Sequence, residues 1–279
     1  MPDYSFARYL SAKKTVDDRA LNRVVWKTLQ EQLQQLPMCH VLEVGAGAGT
    51  MAERVADWHL FNGPMIYTGI DTNIHSIQLA RHHAKTRTHS DLQVHFQVAD
   101  ALTWQPAQPV DLIIANAFMD LVHFPTAMDH FKHILRPAGF FYFTITFDGV
   151  TMLEPTIDTL IDTKIEALYH ADMDARQNGT TGGSYAGRRL LQYVLQRADV
   201  DVLAAGASDW IVYPNSAGYE HDEAYFLHFI IDTMDQALSG HPELDDDLLA
   251  EWVQTRHSQI DNGALIYIAH QIDLLGQFT

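Results

Sequence analysis

Apolar and polar positions along this chain change their period as it proceeds. Leu21, Val24, Val25, Leu29 and Leu33 keep helical spacing. Thr15-Val16-Asp17-Asp18 ahead of them reads as a helix start, a capping side chain followed by acids in the first turn, and Pro37 ends the element. One helix is expected from about 15 to 35, after an irregular segment 1–14 in which Tyr4, Phe6 and Tyr9 act as packing anchors. From 40 onward short apolar runs alternate with helical stretches. Strands are expected at 40–45, 65–71, 94–99, 110–115 and 140–147, with helices at 50–58, 73–85 and 124–135. Such alternation with short turns predicts a mostly parallel sheet covered by helices on both faces.

After 150 the rhythm breaks. Helices are expected at 155–169, 185–197, 222–238 and 244–260, and strand character returns at 200–205, 210–213 and 264–269. Asn178-Gly179-Thr180-Thr181-Gly182-Gly183 reads as a loop.

Net charge narrows the function. The chain carries 18 Lys and Arg against 35 Asp and Glu, a formal charge of −17. That charge opposes a phosphate backbone, which is held mainly by Lys and Arg, so a small-molecule partner is favoured over nucleic acid. Cys39 is the only cysteine, which excludes an internal disulfide and a thiolate metal cluster and reads as a buried, inert thiol. His130 and His133 lie three apart on a helix with no acid at ligand spacing, so no metal is expected. No apolar run approaches the length of a membrane span and no leader pattern opens the chain, so a cytoplasmic protein is expected.

The densest signal is Val41-Leu42-Glu43-Val44-Gly45-Ala46-Gly47-Ala48-Gly49-Thr50. A strand ends on a glycine-rich turn, where backbone can approach a ligand, and a helix N-terminus follows. The spacing is G-x-G-x-G rather than the dinucleotide G-x-G-x-x-G, and an acid stands two residues before the first glycine. A carboxylate there points at a cationic ligand rather than at a pyrophosphate. The segment resembles motif I of the class I S-adenosylmethionine (SAM) dependent methyltransferases.

That resemblance covers 37–149 well and the rest loosely. It implies a Rossmann-like, seven-stranded, mostly parallel sheet ending in an antiparallel pair, with 200–205 as strand six and 264–269 as strand seven. Residues 1–36 form an N-terminal helical segment, 37–149 the SAM-binding core, and 150–279 complete the sheet. The insertions 150–183 and 215–262 build a helical cap near the substrate.

Ligands of open α/β sheets bind at the carboxyl ends of the strands. Glu43, Gly45, Ala46 and Gly47 are therefore expected at the cofactor. Asp71, with Thr72 beside it, would accept from a ribose diol. Asp100 would accept from the adenine amino group with the Ala101 N–H on the ring, and Asn116 would lie near the methionine portion. Arg19 or Lys14 would pair with the SAM carboxylate.

Methyl transfer is an in-line displacement that depends on positioning, with proton removal where the nucleophile needs it. His123, oriented by Asp120, is the expected base, which slightly favours an oxygen acceptor. The stretch after strand four lacks the Asn/Asp-Pro-Pro-Tyr/Phe pattern of enzymes that methylate planar amino groups. His170, Arg176, Trp210 and Tyr225 are expected to bind substrate. The reading is a SAM-dependent methyltransferase of a small molecule, releasing S-adenosylhomocysteine. The rivals are a methyltransferase of RNA or protein, and an aminopropyl transferase or non-catalytic SAM-binding protein of the same fold.

Overall fold

A computed structural model describes residues 5–85, 91–175 and 182–279. The first half alternates as its periodicity predicts. Strands β1 (Cys39–Val44), β2 (Met65–Asp71), β3 (Leu92–Val98) and β4 (Val110–Asn116) are joined through helices α3 (Thr50–Asp57) and α4 (Ile74–Lys85) and a helix-free turn region. Helix α5 (Phe124–Ile134) then leads into β5 (Leu135–Glu154), a 20-residue strand far longer than expected. In β1 and β4 almost every side chain is buried, which is why they read as continuous apolar runs rather than as alternation.

The sheet order is β3-β2-β1-β4-β5-β8-β6, where β6 is Val200–Ala207 and β8 is Ile266–Phe278. β1 to β5 pair in parallel, and β8 inserts antiparallel between β5 and β6. The last strand therefore begins near its expected start but runs on to Phe278. A short eighth strand, β7 (Trp210–Val212), pairs with Tyr267–Ala269 on the edge of β8 opposite the end of β5. β5 breaks register twice against β8, at Phe143/Thr146 and at Phe147/Thr151. Ile145 sits inside the first break with φ +54°, its N–H held by buried Asp273 Oδ1 at 2.9 Å. Such bulges bend a strand, and the far end of β5 stays paired with β8 as far as Glu154.

The expected single helix at 15–35 is two: α1 (Phe6–Ala20) and α2 (Arg23–Leu33). Long-range hydrogen bonds make the break. Asn22 N–H donates to Asp273 Oδ2 at 2.8 Å and Asn22 Nδ2 donates to the Ala207 carbonyl at 2.9 Å, while Asn22 Oδ1 caps α2 through Val24 and Val25. Residues 6–14, expected to be irregular, are helical because Tyr9 packs at 4.1 Å ring to ring on Phe229 of α8 (Glu223–Leu238).

Helices α6 (Thr159–Ala175) and α9 (Asp246–Asp261) complete the cap, and α7 (Ala186–Leu195) covers the other face. Trp252 Nε1 and Arg256 of α9 both donate to Asp162 Oδ1 of α6, at 2.6 and 2.7 Å, which ties the two inserted segments together. Cys39 is fully buried, and burial pushes its thiol up to about 12, so it stays protonated and unreactive.

Candidate active site

The glycine-rich turn carries the first functional geometry. Gly45, Gly47 and Gly49 have φ of +67°, +50° and +80°, a path closed to most L-residues. A Cβ on Gly45 would come 2.7 Å from the Phe118 ring, so at this point the chain passes another wall with no room for a side chain. Asp71 at the end of β2 stabilises the turn by accepting from Gly47 N–H at 2.9 Å and from Asn73 N–H at 2.8 Å. Glu43 is 2% exposed and accepts from the Tyr67 hydroxyl at 2.6 Å. Burial pushes its carboxyl up to about 8, against the lowering effects of that hydrogen bond and of Arg54.

These groups line one cavity of about 280 Å³ at the carboxyl ends of the strands. Glu43, Gly45, Ala46, Gly47, Asp71, Thr72, Ala101 and Asn116 all stand on its wall. Asn116 Oδ1 accepts from the Thr144 hydroxyl at 2.8 Å, which fixes its amide. Asp100 does not join them. Its carboxylate is exposed and accepts from Leu102 N–H at 2.8 Å, capping a turn, while Ala99 and Ala101 on either side form the wall.

Helix α1 closes the cavity with residues the sequence did not point to: Phe6, Leu10, Lys13 and Asp17. Their three- and four-residue spacing was the available signal, but the first three fall in the segment 1–14 read as irregular. Arg19 is the expected residue that the structure removes. Both its terminal nitrogens are held by the carboxylate of Glu223, which is 1% exposed, and it does not face the cavity. Lys14 is turned to Asp18 and Glu53. The cation on the wall is Lys13, 7% exposed and 3.2 Å from Asp17. Asp17 in turn accepts from Trp210 Nε1 at 2.9 Å, which locks this end of α1 onto β7.

A second chamber of about 360 Å³ adjoins the first, and Phe6, Ala117 and Leu121 line both. Its walls come from α1 (Tyr9), α6 (Tyr169, Met173), α8 (Phe229, Thr233), β7 (Trp210) and β8 (Tyr267, Gln271). Of the residues expected to bind substrate, Trp210 stands on this wall. Tyr225 does not, because its hydroxyl bonds the backbone of Ser5 and its ring lies under Arg8, 3.9 Å from the guanidinium, which pins α1 to α8. His170 stands behind the wall, 3.0 Å from the Thr151 hydroxyl, and burial lowers its pKa. Arg176 lies outside the described residues.

The expected pair of His123 and Asp120 does not form. His123 precedes α5 and its Nδ1 lies 2.9 Å from Thr126 Oγ1, away from both chambers. Asp120, in the 3₁₀ turn Met119–Leu121, faces the second chamber without His123. Burial pushes its carboxyl up to about 6.

The family model described as a methyltransferase domain matches residues 36–154. Residues 36–154 are thus similar to methyltransferase domains, and the sheet they belong to has a Rossmann-like fold. Solved structures share the fold beyond that stretch. A protein of Bacillus halodurans C-125 named as a candidate methyltransferase aligns with TM-score 0.55 at 11% identity, over 92% of this chain and 99% of that one. A SAM-dependent methyltransferase of Geobacter sulfurreducens, in complex with S-adenosylhomocysteine, aligns with TM-score 0.51 at 15% identity, over 99% and 100%. A phosphoethanolamine N-methyltransferase of Haemonchus contortus aligns with TM-score 0.51 at 9% identity, over 98% of this chain and 57% of that one. Among the described residues no helix is long and apolar enough to cross a membrane, and no three His, Cys, Asp or Glu side chains cluster to hold a metal. Residues within 36–154 and helix α1 together form the first cavity, and α1, the turn at 117–121, β5, α6, β7, α8 and β8 wall the second.

Proposed function

We propose that this chain is a SAM-dependent methyltransferase of small molecules, with the cofactor in the first cavity and the acceptor in the second. The observation that carries this is the junction of the two chambers at Phe6, Ala117 and Leu121, beside Asn116. The residues of the first cavity fit the cofactor by their chemistry. It has a cationic ammonium and sulfonium, a carboxylate and a ribose diol. The wall offers the buried acid Glu43, the cation Lys13 and the acceptor Asp71. Bound there, the cofactor supplies an electron-poor methyl group.

The chain's own residues do the rest. Glu43 and Lys13 orient the polar end. The turn at Gly45 and Gly47 brings backbone close where a side chain would collide. Helix α1 and its aromatic contacts exclude water from the transfer, so the electrostatic interactions inside strengthen. Residues 37–149 with α1 act as the cofactor core, and α6 and α8 of the inserted segments help α1 enclose the acceptor. Enclosure of the second chamber by three helices favours a small molecule over RNA or protein, as does the charge of −17. With His123 turned away, the slight preference for oxygen loses its support.

Calorimetric titration with S-adenosylhomocysteine tests the cofactor assignment. Saturable binding is expected in the wild type and a loss of about tenfold or more in Asp71→Ala and Glu43→Ala. Absence of binding by folded wild-type protein refutes it.

A further inference from the structure

The second chamber combines aromatic walls with hydrogen-bond acceptors that have no donor. Tyr9 lies stacked on Phe229, with Trp210, Tyr169 and Tyr267 around it. Among the described residues, the one charged side chain on this wall is Asp120. Its Oδ1 is shielded from solvent and has no hydrogen-bond partner. The same holds for Oε1 of Gln271, a side chain 1% exposed on β8. A buried acceptor without a donor costs stability, most of all when it is ionised, so each is expected to meet an N–H or O–H. A protonated amine supplies what Asp120 needs: it donates hydrogen bonds, its charge offsets the carboxylate, and the faces of the surrounding rings attract it.

We propose that the methyl acceptor is an apolar or aromatic amine, bound as its ammonium with the nitrogen on Asp120 and the body among the rings. Gln271 Oε1 takes a second N–H or O–H of the same molecule. This rests on the methyltransferase reading above. Asp120 stands next to Leu121, which lines both chambers, so the nitrogen is held at their junction. The ammonium passes one proton to Asp120. The freed nitrogen lone pair then bonds the methyl carbon, the carbon–sulfur bond breaks, and its electron pair stays on sulfur. The products are a methylated ammonium, neutral S-adenosylhomocysteine sulfur, and the one proton that Asp120 releases to water. Burial that lifts the Asp120 carboxyl to about 6 leaves it ionised at neutral pH yet more basic than an ordinary carboxylate.

Phenethylamine, phenethyl alcohol and phenylacetate share one body and differ in the polar group. Each is titrated at millimolar concentration into the full chain saturated with S-adenosylhomocysteine, in the wild type and in Asp120→Asn. The amine is expected to bind at least about tenfold more tightly than the alcohol, with phenylacetate weakest. In Asp120→Asn that preference is expected to vanish while S-adenosylhomocysteine still binds, which reports an intact fold. Failure of S-adenosylhomocysteine to bind the wild type would refute the cofactor reading. With S-adenosylhomocysteine bound, three outcomes overturn this inference alone: no binding of any probe, equal or tighter binding of the alcohol or acid, or an amine preference that survives Asp120→Asn.

Discussion

Glu43 makes cofactor binding depend on pH in a way that can be worked from its surroundings. The side chain is buried under the glycine-rich turn with one hydrogen-bond donor, Tyr67, and its carboxyl is pushed up to about 8. In the empty protein at about pH 7, roughly one Glu43 in ten is ionised. A cationic ligand group binds the carboxylate and not the acid, so apparent affinity is reduced by the ionised fraction. The expected loss is about tenfold for each pH unit below 8, or about 1.4 kcal/mol per unit. Calorimetry with S-adenosylhomocysteine between about pH 6 and pH 8, in buffers of different ionisation enthalpy, reads both the slope and the release of close to one proton. Glu43→Gln is expected to abolish the slope. Thermal unfolding gives an independent check. The folded pKa of Glu43 lies above its unfolded value, so the folded state binds more protons and the empty protein loses stability as pH rises between about 4.5 and 8. The melting temperature of Glu43→Gln should therefore gain on the wild type across that window and hold a constant lead above it. An affinity that is flat from about pH 6 to pH 8, with no proton released, would refute the reasoning.

Four further outcomes follow from single contacts. Gly45→Ala puts a Cβ at φ +67° and 2.7 Å from the Phe118 ring, so it should lower unfolding free energy by about 1–3 kcal/mol in urea titration and abolish S-adenosylhomocysteine binding. Arg19→Ala should leave cofactor affinity within about twofold but destabilise the fold by roughly 1–3 kcal/mol, because it strips the main partners from buried Glu223. Lys13→Met should do the reverse on affinity, lowering it about tenfold by calorimetry. Once a substrate is in hand, His123→Ala should leave kcat unchanged, and a large loss would restore the histidine to the chemistry.

The parts of this protein that its sequence determines are local in origin. Strands β1, β2 and β4 announce themselves by apolar runs, and each ends on the polar residue the turn or cavity uses: Glu43 with Gly45, Asp71, Asn116. Such signals are readable because a strand's end, its turn and the next helix cap lie within a few residues of each other. The enclosure of the site is different. Helix α1 exists because Tyr9 meets Phe229, some two hundred residues away, and it stops at Leu21 because Asp273 of the last strand takes the Asn22 N–H. Lys13, Lys14 and Arg19 are equivalent as sequence. Docking of α1 against α8 turns Lys13 to the cavity and fastens Arg19 to Glu223. In the same way the 3₁₀ turn at 119–121 presents Asp120 to the second chamber and carries the chain past it, so that the His123 side chain meets Thr126 at the start of α5 instead. Which of several similar charges faces a ligand depends on how helices from distant parts of the chain pack, and only the tertiary structure decides that.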